Sequence, residues 1–212
     1  MTVKSNLEII LKEIESYNPT LIAVTKYYGC DKMIEAYDAG IRNFAESRAL
    51  EALEKINKID DTMRSQSVYH FIGHLQTNKV KHVVGNFEYI HSIDSLKLAK
   101  CIDEEASKLG IKQKILIQVN NADESQKFGI AKLQLENLIE EVSKMKSLEL
   151  VGLMNIAPLT DDYKELQRLF LEMRKLTDFY QLKELSMGMS RDYKIALECG
   201  ATMIRLGRIL FN

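Results

Sequence analysis

Short runs of β-branched and aromatic residues alternate with amphipathic helical windows along the chain, and this alternation constrains the fold more than any other feature. Several of the eight runs, such as ILIQV at 115–119, are apolar on both faces, as parallel strands covered by helices must be. The strand candidates span residues 21–26, 41–45, 68–72, 87–91, 115–119, 149–155, 184–188 and 201–206. Eight strands that alternate with helices favour a single (β/α)8 TIM barrel, and an open doubly wound sheet is the alternative.

Amphipathic stripes occupy the windows between strand candidates, and one further stripe precedes the first strand. That leading stripe predicts an extra amino-terminal helix outside the repeating units. The stripes consist of Leu7, Ile10, Leu11 and Ile14; Ala99, Ile102, Ala106 and Leu109; Leu135, Leu138, Ile139, Val142 and Met145; and Leu166, Leu169, Phe170, Met173 and Leu176. Asp31 and Asp94 stand where N-caps are expected, and Gly40, Gly110 and Gly200 stand where helices would end in a left-handed residue.

The length and charge of the chain exclude several classes of protein. Its 212 residues lie near the lower limit of a barrel, roughly 200, and no flexible linker interrupts them, so residues 1–212 are predicted to form one domain. The 29 basic and 30 acidic side chains nearly cancel, which argues against nucleic-acid and membrane partners. Three scattered cysteines, no signal peptide and no apolar run of about 20 residues predict a cytoplasmic protein.

Lys26 ends the first strand candidate, LIAVTK. The carboxyl ends of the strands form the working face of such a barrel. Apolar neighbours around the lysine stem would disfavour the ammonium and favour a free amine, which is what attack on an aldehyde and formation of a Schiff base require. A solvated lysine just past a strand is the alternative interpretation.

The loops after the seventh and eighth strand candidates carry residues suited to an anion. Barrels of this class often build a phosphate site at these two loops. Ser190 is placed to cap a helix whose first N–H groups favour an anion. Gly207 permits close approach of backbone to phosphate, and Arg208 adds positive charge. An ordinary N-cap serine and an ordinary turn glycine are the alternatives.

Arg205 lies within the last strand candidate and points into the barrel or toward its mouth if it shares the parity of Met203 and Gly207. A buried arginine keeps its charge and therefore needs a partner. The partner is either a carboxylate or the pyridine nitrogen of pyridoxal 5′-phosphate (PLP), which would then stay unprotonated.

Other motifs give weaker indications. His70 and His74 are four residues apart but flank a strand-to-loop junction, HFIGH, so no metal is predicted. Lys127, in the loop ESQKFGI, is a secondary candidate at the same end of the barrel. The chain has neither G-x-G-x-x-G nor a P-loop motif, so the usual signatures of dinucleotide and nucleoside triphosphate sites are missing.

Long segments of the chain carry a family resemblance. They are LIAVTKYY, NFAESRALEALEK, YHFIGHLQTNKVK, IHSID, ILIQVNNADESQKFGI, LVGLMNIAP and LSMGMSRDYKIALECGATMIRLGRILF. With these segments the chain resembles the YggS/PROSC pyridoxal-phosphate homeostasis proteins, whose fold is that of the alanine racemase amino-terminal barrel. The resemblance implies that Lys26 holds PLP as a Schiff base, that Ser190 and the backbone at Gly207 and Arg208 hold its phosphate, and that Arg205 faces the pyridine nitrogen.

The sequence departs from the family pattern at three positions. Ala45 and Ser47 replace the glycine and asparagine of F-G-E-N, and Arg208 replaces the small or hydroxyl residue that usually follows R-x-G. Because the backbone at residue 208 is unchanged by its side chain, the implied phosphate contact survives this last departure.

The resemblance implies a PLP-binding protein of intracellular PLP (vitamin B6) homeostasis that affects amino-acid and keto-acid balance indirectly. We expect no robust catalytic activity, because nothing after the last strand candidate supplies the second base of a racemase. The expected partners are PLP and the PLP-dependent apo-enzymes that receive it, and the expected state is a monomer or weak dimer. The alternatives are a PLP-dependent racemase or lyase that uses Lys26 alone or with Tyr27 or Tyr28, and a cofactor-free aldolase that uses Lys26.

Overall fold

The computed structural model describes residues 2–122 and 128–212, and within them eight parallel strands close into a barrel. The ring is formed by β1 (Thr20–Val24), β2 (Asn43–Glu46), β3 (Val68–Phe71), β4 (Tyr89–Ile93), β5 (Gln113–Asn120), β7 (Leu148–Met154), β8 (Glu184–Ser186) and β9 (Met203–Leu206), while the short β6 (Ile130–Ala131) pairs with β5 alone. The pairing of β9 with β1 and of β4 with β5 closes the sheet. The predicted (β/α)8 barrel is therefore confirmed, and the open sheet is excluded.

Helices surround the ring. They are α1 (Val3–Ile14), α2 (Cys30–Asp38), α3 (Ala49–Ile56), α4 (Asp61–Gln66), α5 (Leu96–Lys108), α6 (Lys132–Ser143), α7 (Tyr163–Phe179), α8 (Tyr193–Glu198) and α9 (Arg208–Phe211), with a 3-10 helix at Thr77–His82. The predicted stripes face the core except at Leu11 and Leu109, which are about half exposed, at 48% and 52%. None of the helices in the described part of the chain is long and apolar enough to cross a membrane.

Alternate residues of each strand point to opposite faces, which divides the core into two layers. One layer lies inside the ring and contains Ile22, Ala45, Leu116, Met154 and Met203. The other lies between the strands and the helices, and it is larger and almost wholly apolar. Full burial of a single large aliphatic side chain contributes about 1.5–3 kcal/mol, so the outer layer supplies most of the stabilisation.

Three predicted helix starts were wrong. Helix α2 is preceded by Gly29 rather than Asp31, and α5 is capped by Ser95, whose hydroxyl accepts from the Leu98 N–H at 3.4 Å, rather than by Asp94. Asp192 rather than Ser190 precedes α8. Two of the errors fall where Ser and Asp residues lie close together, at Asp94 and Ser95 and at Ser190 and Asp192, whereas at α2 a glycine without a side-chain cap precedes the helix. The predicted left-handed glycines were confirmed, with φ of +108°, +66° and +88° at Gly40, Gly110 and Gly200.

Helix α1 lies outside the barrel repeat and packs against α2 and α9. The amide nitrogen of the buried Asn6 side chain donates to the carbonyl oxygens of Leu210 and Asn212, both at 3.1 Å. The predicted amino-terminal helix is thus confirmed, and it is joined directly to the segment that follows the last strand.

Candidate functional site

A cavity of about 830 Å³ opens beyond the carboxyl ends of β1 and β9. Its size is typical of a small-molecule site. All five predicted site residues line it: Lys26, Ser190, Arg205, Gly207 and Arg208. The lining also contains Asp192 and a group of apolar and aromatic residues: Val24, Tyr27, Tyr28, Ile72, Ile156 and Leu159. We call this the Lys26 cavity.

Lys26 lies in the turn just after β1 and is half-buried. Its ammonium nitrogen lies 5.0 Å from the centroid of the Tyr27 ring. Within the described residues this amine has no hydrogen-bond acceptor and no ion-pair partner. A half-buried lysine amine usually has a hydrogen-bond or ion-pair partner. Since this one has none, it is available to a ligand in the cavity.

A buried ion pair behind Lys26 fixes the turn that carries it. Glu46, at the end of β2, accepts from the Lys55 amine at 2.5 Å and from the Thr25 hydroxyl at 2.6 Å. The same Lys55 amine donates to the Thr25 carbonyl at 2.8 Å. Since both charged side chains are almost fully buried, breaking the pair would leave an uncompensated charge, which costs about 3–5 kcal/mol.

Backbone donors without acceptors belong to residues that line the cavity. In the described part of the chain, the N–H groups of Ser190, Arg191 and Arg208 have no protein acceptor. The Ser190 hydroxyl accepts from the N–H groups of Gly207 and Ile209 over long contacts, both 3.4 Å. Ser190 therefore joins the two predicted loops instead of capping α8, and the three residues with free N–H groups line the same cavity as Lys26.

Gly207 is not required by the packing of the protein itself. A Cβ at Gly207 would meet the Val24 carbonyl oxygen at an ordinary 3.5 Å, so contacts within the protein leave room for a side chain there. A ligand that approaches the backbone closely would explain a glycine at this position.

Arg205 points into the barrel, on the same face of β9 as Met203, and is almost fully buried. Its guanidinium donates to the Ser186 hydroxyl at 2.6 Å and to the Asn155 carbonyl at 2.7 Å. No carboxylate lies within ion-pair distance of it in the described residues, although Asp192 raises its pKa. Burial is the larger effect and lowers the pKa of Arg205 to about 10, so the side chain stays charged at neutral pH.

A line of hydrogen-bonded side chains runs from Arg205 through the barrel interior. Ser186 Oγ lies 3.0 Å from His91 Nδ1, His91 Nε2 lies 3.0 Å from His70 Nδ1, and His70 Nε2 lies 3.1 Å from Asn43 Oδ1. We call these five residues the polar column. Burial lowers the pKa of His70 to about 3 and that of His91 well below its ordinary value, so both rings are neutral near pH 7.

Sequence reasoning missed the polar column apart from Arg205. Its members come from β2, β3, β4, β8 and β9, so their contacts are not local in the chain. The available signal was a histidine at an inward position of two adjacent apolar strands, in VYHFI and in YIHSI.

A second cavity of about 440 Å³ follows the ends of β2 and β3 and contains Ser47, one of the three departures from the family pattern. We call it the Ser47 cavity. Arg48 pairs with Glu51 at 3.1 Å, and His74 Nδ1 lies 3.4 Å from Asp94 Oδ2, while Lys79 has no ion-pair partner among the described residues. His74 stacks on Phe128, whereas His70 lies inside the barrel, so the two histidines face different surroundings.

The remaining sequence candidates have distinct environments. Ala45 is buried inside the ring. Tyr27 is largely exposed at the cavity mouth, and the Tyr28 hydroxyl donates to Asn212 Oδ1 at 3.1 Å. Lys127 lies outside the described residues. Across those residues, no three His, Cys, Asp or Glu side chains are grouped as metal ligands would be.

Comparison with known proteins places this barrel in a class. The sequence model of the alanine racemase amino-terminal domain matches residues 2–212, so the chain is a barrel domain of that type. Alanine racemase from Clostridium difficile has the same fold, with a TM-score of 0.75 and 16% identity over 97% of this chain and 56% of its own.

Closer relatives narrow the class to one family. A pyridoxal phosphate homeostasis protein from Synechocystis is 42% identical over 91% of this chain and 90% of its own, and one from Aquifex aeolicus is 36% identical over 91% and 86%. PipY of Synechococcus elongatus, solved with PLP bound, aligns with a TM-score of 0.92 and 34% identity over 99% of this chain and 100% of its own. The chain belongs to the pyridoxal phosphate homeostasis protein family.

Proposed function

We propose that this protein binds PLP in the Lys26 cavity and acts in PLP homeostasis, with residues 1–212 as one domain. The proposal rests on one observation: an unpaired lysine amine, a buried guanidinium without a carboxylate partner, and three free backbone N–H groups line the same cavity. The names of the relatives and the PLP-bound PipY structure point to the same ligand.

These groups fit the three ends of PLP, which carries an aldehyde, a phosphate and a ring nitrogen. Lys26 is the residue that would capture the aldehyde. The N–H groups of Ser190, Arg191 and Arg208 would hold the phosphate, as backbone donors in a concave loop commonly do. Arg205 would face the ring nitrogen. When bound, PLP supplies an electrophilic carbon that a lysine amine captures with loss of water, and a ring that withdraws electrons.

The side chains of the protein favour holding PLP over activating it. A charged guanidinium beside the ring nitrogen keeps a proton off that nitrogen and so weakens the ring as an electron sink. The Thr25, Glu46 and Lys55 contacts fix the backbone behind Lys26, and the apolar and aromatic lining residues of the cavity offer packing surface to a ring. Lys26 is also the amine from which the cofactor would pass to a recipient.

The wider setting is part of the same proposal. The recipients would be PLP-dependent apo-enzymes, reached from a monomer or weak dimer in the reducing cytosol, in keeping with the free thiols of Cys30, Cys101 and Cys199.

The test compares Lys26→Ala with Lys79→Ala, a matched change in the Ser47 cavity. Wild type and Lys79→Ala should develop a visible absorbance band with PLP, and borohydride should abolish the band and leave one cofactor mass on Lys26. Lys26→Ala should gain no covalent mass there. Equal labelling of Lys26→Ala and wild type would refute the assignment.

A second measurement separates holding from catalysis. The PLP-loaded protein is incubated with amino acids in deuterated water, and exchange of the α-proton is followed by mass spectrometry. We expect no exchange above that of free PLP. Turnover of any one amino acid would replace the holding function with the racemase or lyase alternative. A protein that stays colourless with PLP would favour the aldolase.

A further inference from the structure

We propose that Ser186, His91 and His70 are positioning residues for Arg205, because their hydrogen bonds all run in one direction and leave the guanidinium a single orientation at the cavity floor. The inference rests on the proposed function, in which Arg205 faces the ring nitrogen of PLP. The observation that supports the inference is the polar column, which crosses the barrel from the first residue of β2 to the floor of the Lys26 cavity.

The donor-to-acceptor direction of the hydrogen bonds in the polar column follows from Arg205, at its upper end. A guanidinium only donates hydrogen bonds, so the Ser186 oxygen must accept from Arg205. Ser186 is fully buried, and in the described part of the chain the only acceptor near its hydroxyl hydrogen is His91 Nδ1, at 3.0 Å. His91 therefore accepts on Nδ1 and carries its single proton on Nε2.

The same reasoning continues down the column. His91 Nε2 donates to His70 Nδ1, so His70 carries its proton on Nε2 and donates to the Asn43 side-chain oxygen. Depressed pKa values keep both rings neutral, so each has one proton to place. The opposite direction would leave the buried Ser186 O–H without an acceptor, which costs about 1–3 kcal/mol. Tyr89 stacks on the His70 ring at 4.7 Å and restricts its rotation.

Arg205 is held at two points. Ser186 accepts from one terminal nitrogen and the Asn155 carbonyl from the other, which fixes the plane of the guanidinium. Without the histidines, the Ser186 hydroxyl would be free to turn its hydrogen elsewhere, and one of the two contacts would lose its geometry. Residues that contact no part of the cavity thus determine where its buried charge points.

The first test reads the ring protons directly and needs no cofactor. Nitrogen-15 NMR of the PLP-free protein near neutral pH should show His70 and His91 as neutral rings protonated on Nε2. Protonation of either ring on Nδ1 would reverse the column and overturn the inference.

The second test measures PLP affinity from titration of the visible band. Ser186→Ala and His91→Leu should each weaken affinity about tenfold, as expected for a lost hydrogen bond to a charged group. His91→Gln, which offers an acceptor and a donor, should restore it to within about twofold. Ser92→Ala is the matched control, because Ser92 is equally buried beside His91 and its hydroxyl has no partner in the described residues.

The results distinguish failure of the positioning role from failure of the proposed function. If Ser186→Ala and His91→Leu fold, by circular dichroism, and bind PLP as tightly as Ser92→Ala, the positioning role is refuted. If His91→Leu fails to fold, Ser186→Ala still tests the positioning role, because it removes only one oxygen atom. A wild type that takes up no PLP would refute the proposed function instead, and the ring tautomers would still decide the direction of the column.

Discussion

The Lys26 cavity and the Ser47 cavity lie at the same end of one barrel, yet among the residues that the structure describes only the Lys26 cavity contains a buried charge. In the Ser47 cavity none of the lining residues Arg48, Glu51 and Lys79 is fully buried, and Arg48 pairs with Glu51. In the Lys26 cavity a buried guanidinium has no carboxylate, and several donors have no acceptor among the described residues. Water can satisfy an exposed N–H group, so the feature that distinguishes the Lys26 cavity is that its unmet donors lie beside a buried guanidinium that has no carboxylate partner.

The largest difference between the two cavities is expected when the arginine of each is replaced by an uncharged residue. Arg205→Met should weaken PLP affinity about a hundredfold, since it deletes a charged donor from a buried site. Arg48→Met should change affinity by less than about twofold, because its exposed ion pair contributes little. Titration of the visible band measures both. Equal losses in the two variants would show that pairing and burial do not distinguish the cavities.

The second comparison measures how the stability of the protein depends on pH when His70, inside the barrel, or His74, at the Ser47 cavity, is replaced. The folded-state pKa of His70 is lowered to about 3, so below the unfolded value of 6.5 the unfolded chain binds the extra proton. Stability from this group is therefore complete above about pH 6.5 and is lost as pH falls toward about 3, by about 1.4 kcal/mol per pH unit. Urea unfolding from about pH 7 to about pH 5 should show a shallower decline, by about 2 kcal/mol, in His70→Gln than in wild type.

His74→Gln supplies the control for that measurement, since His74 is partly exposed at the rim of the Ser47 cavity. The same urea measurements on this variant show what the loss of an exposed histidine does to stability. A His70→Gln variant with the wild-type slope would contradict the buried neutral ring.

The smallest effect is expected for the serines. Ser190→Ala removes the hydroxyl that joins the loops after β8 and β9, over long contacts, and should weaken PLP affinity about fivefold, the value of one neutral hydrogen bond. Ser47→Ala should leave affinity unchanged. The same titration tests both, and a larger effect at Ser47 would place a cofactor contact in the second cavity.

The barrel could be predicted from the sequence because the evidence for each strand and helix lies within a short segment of the chain. Strands with apolar residues on both faces and helical stripes between them are readable within a few residues, and all eight strands of the ring appear near their predicted positions, although β1 ends at Val24 rather than Lys26. The helix starts were less predictable, because Asp31, Asp94 and Ser190 each compete with a nearby residue.

The site was predictable only in part, for a related physical reason. Lys26, Ser190, Arg205, Gly207 and Arg208 follow from the rule that barrel sites lie at strand ends, and the structure brings all five to one cavity. Their roles toward PLP stay predictions. The contact of His91 with Ser186 joins residues 95 positions apart, and no local pattern specifies such a pair.

The hydrogen bonds from Asn6 to the carbonyl oxygens of Leu210 and Asn212 attach the leading helix to α9 and to the residue that follows it. Helix α9 begins at Arg208, which lines the Lys26 cavity. Part of the cavity lining therefore depends on a helix that the eightfold repeat does not include.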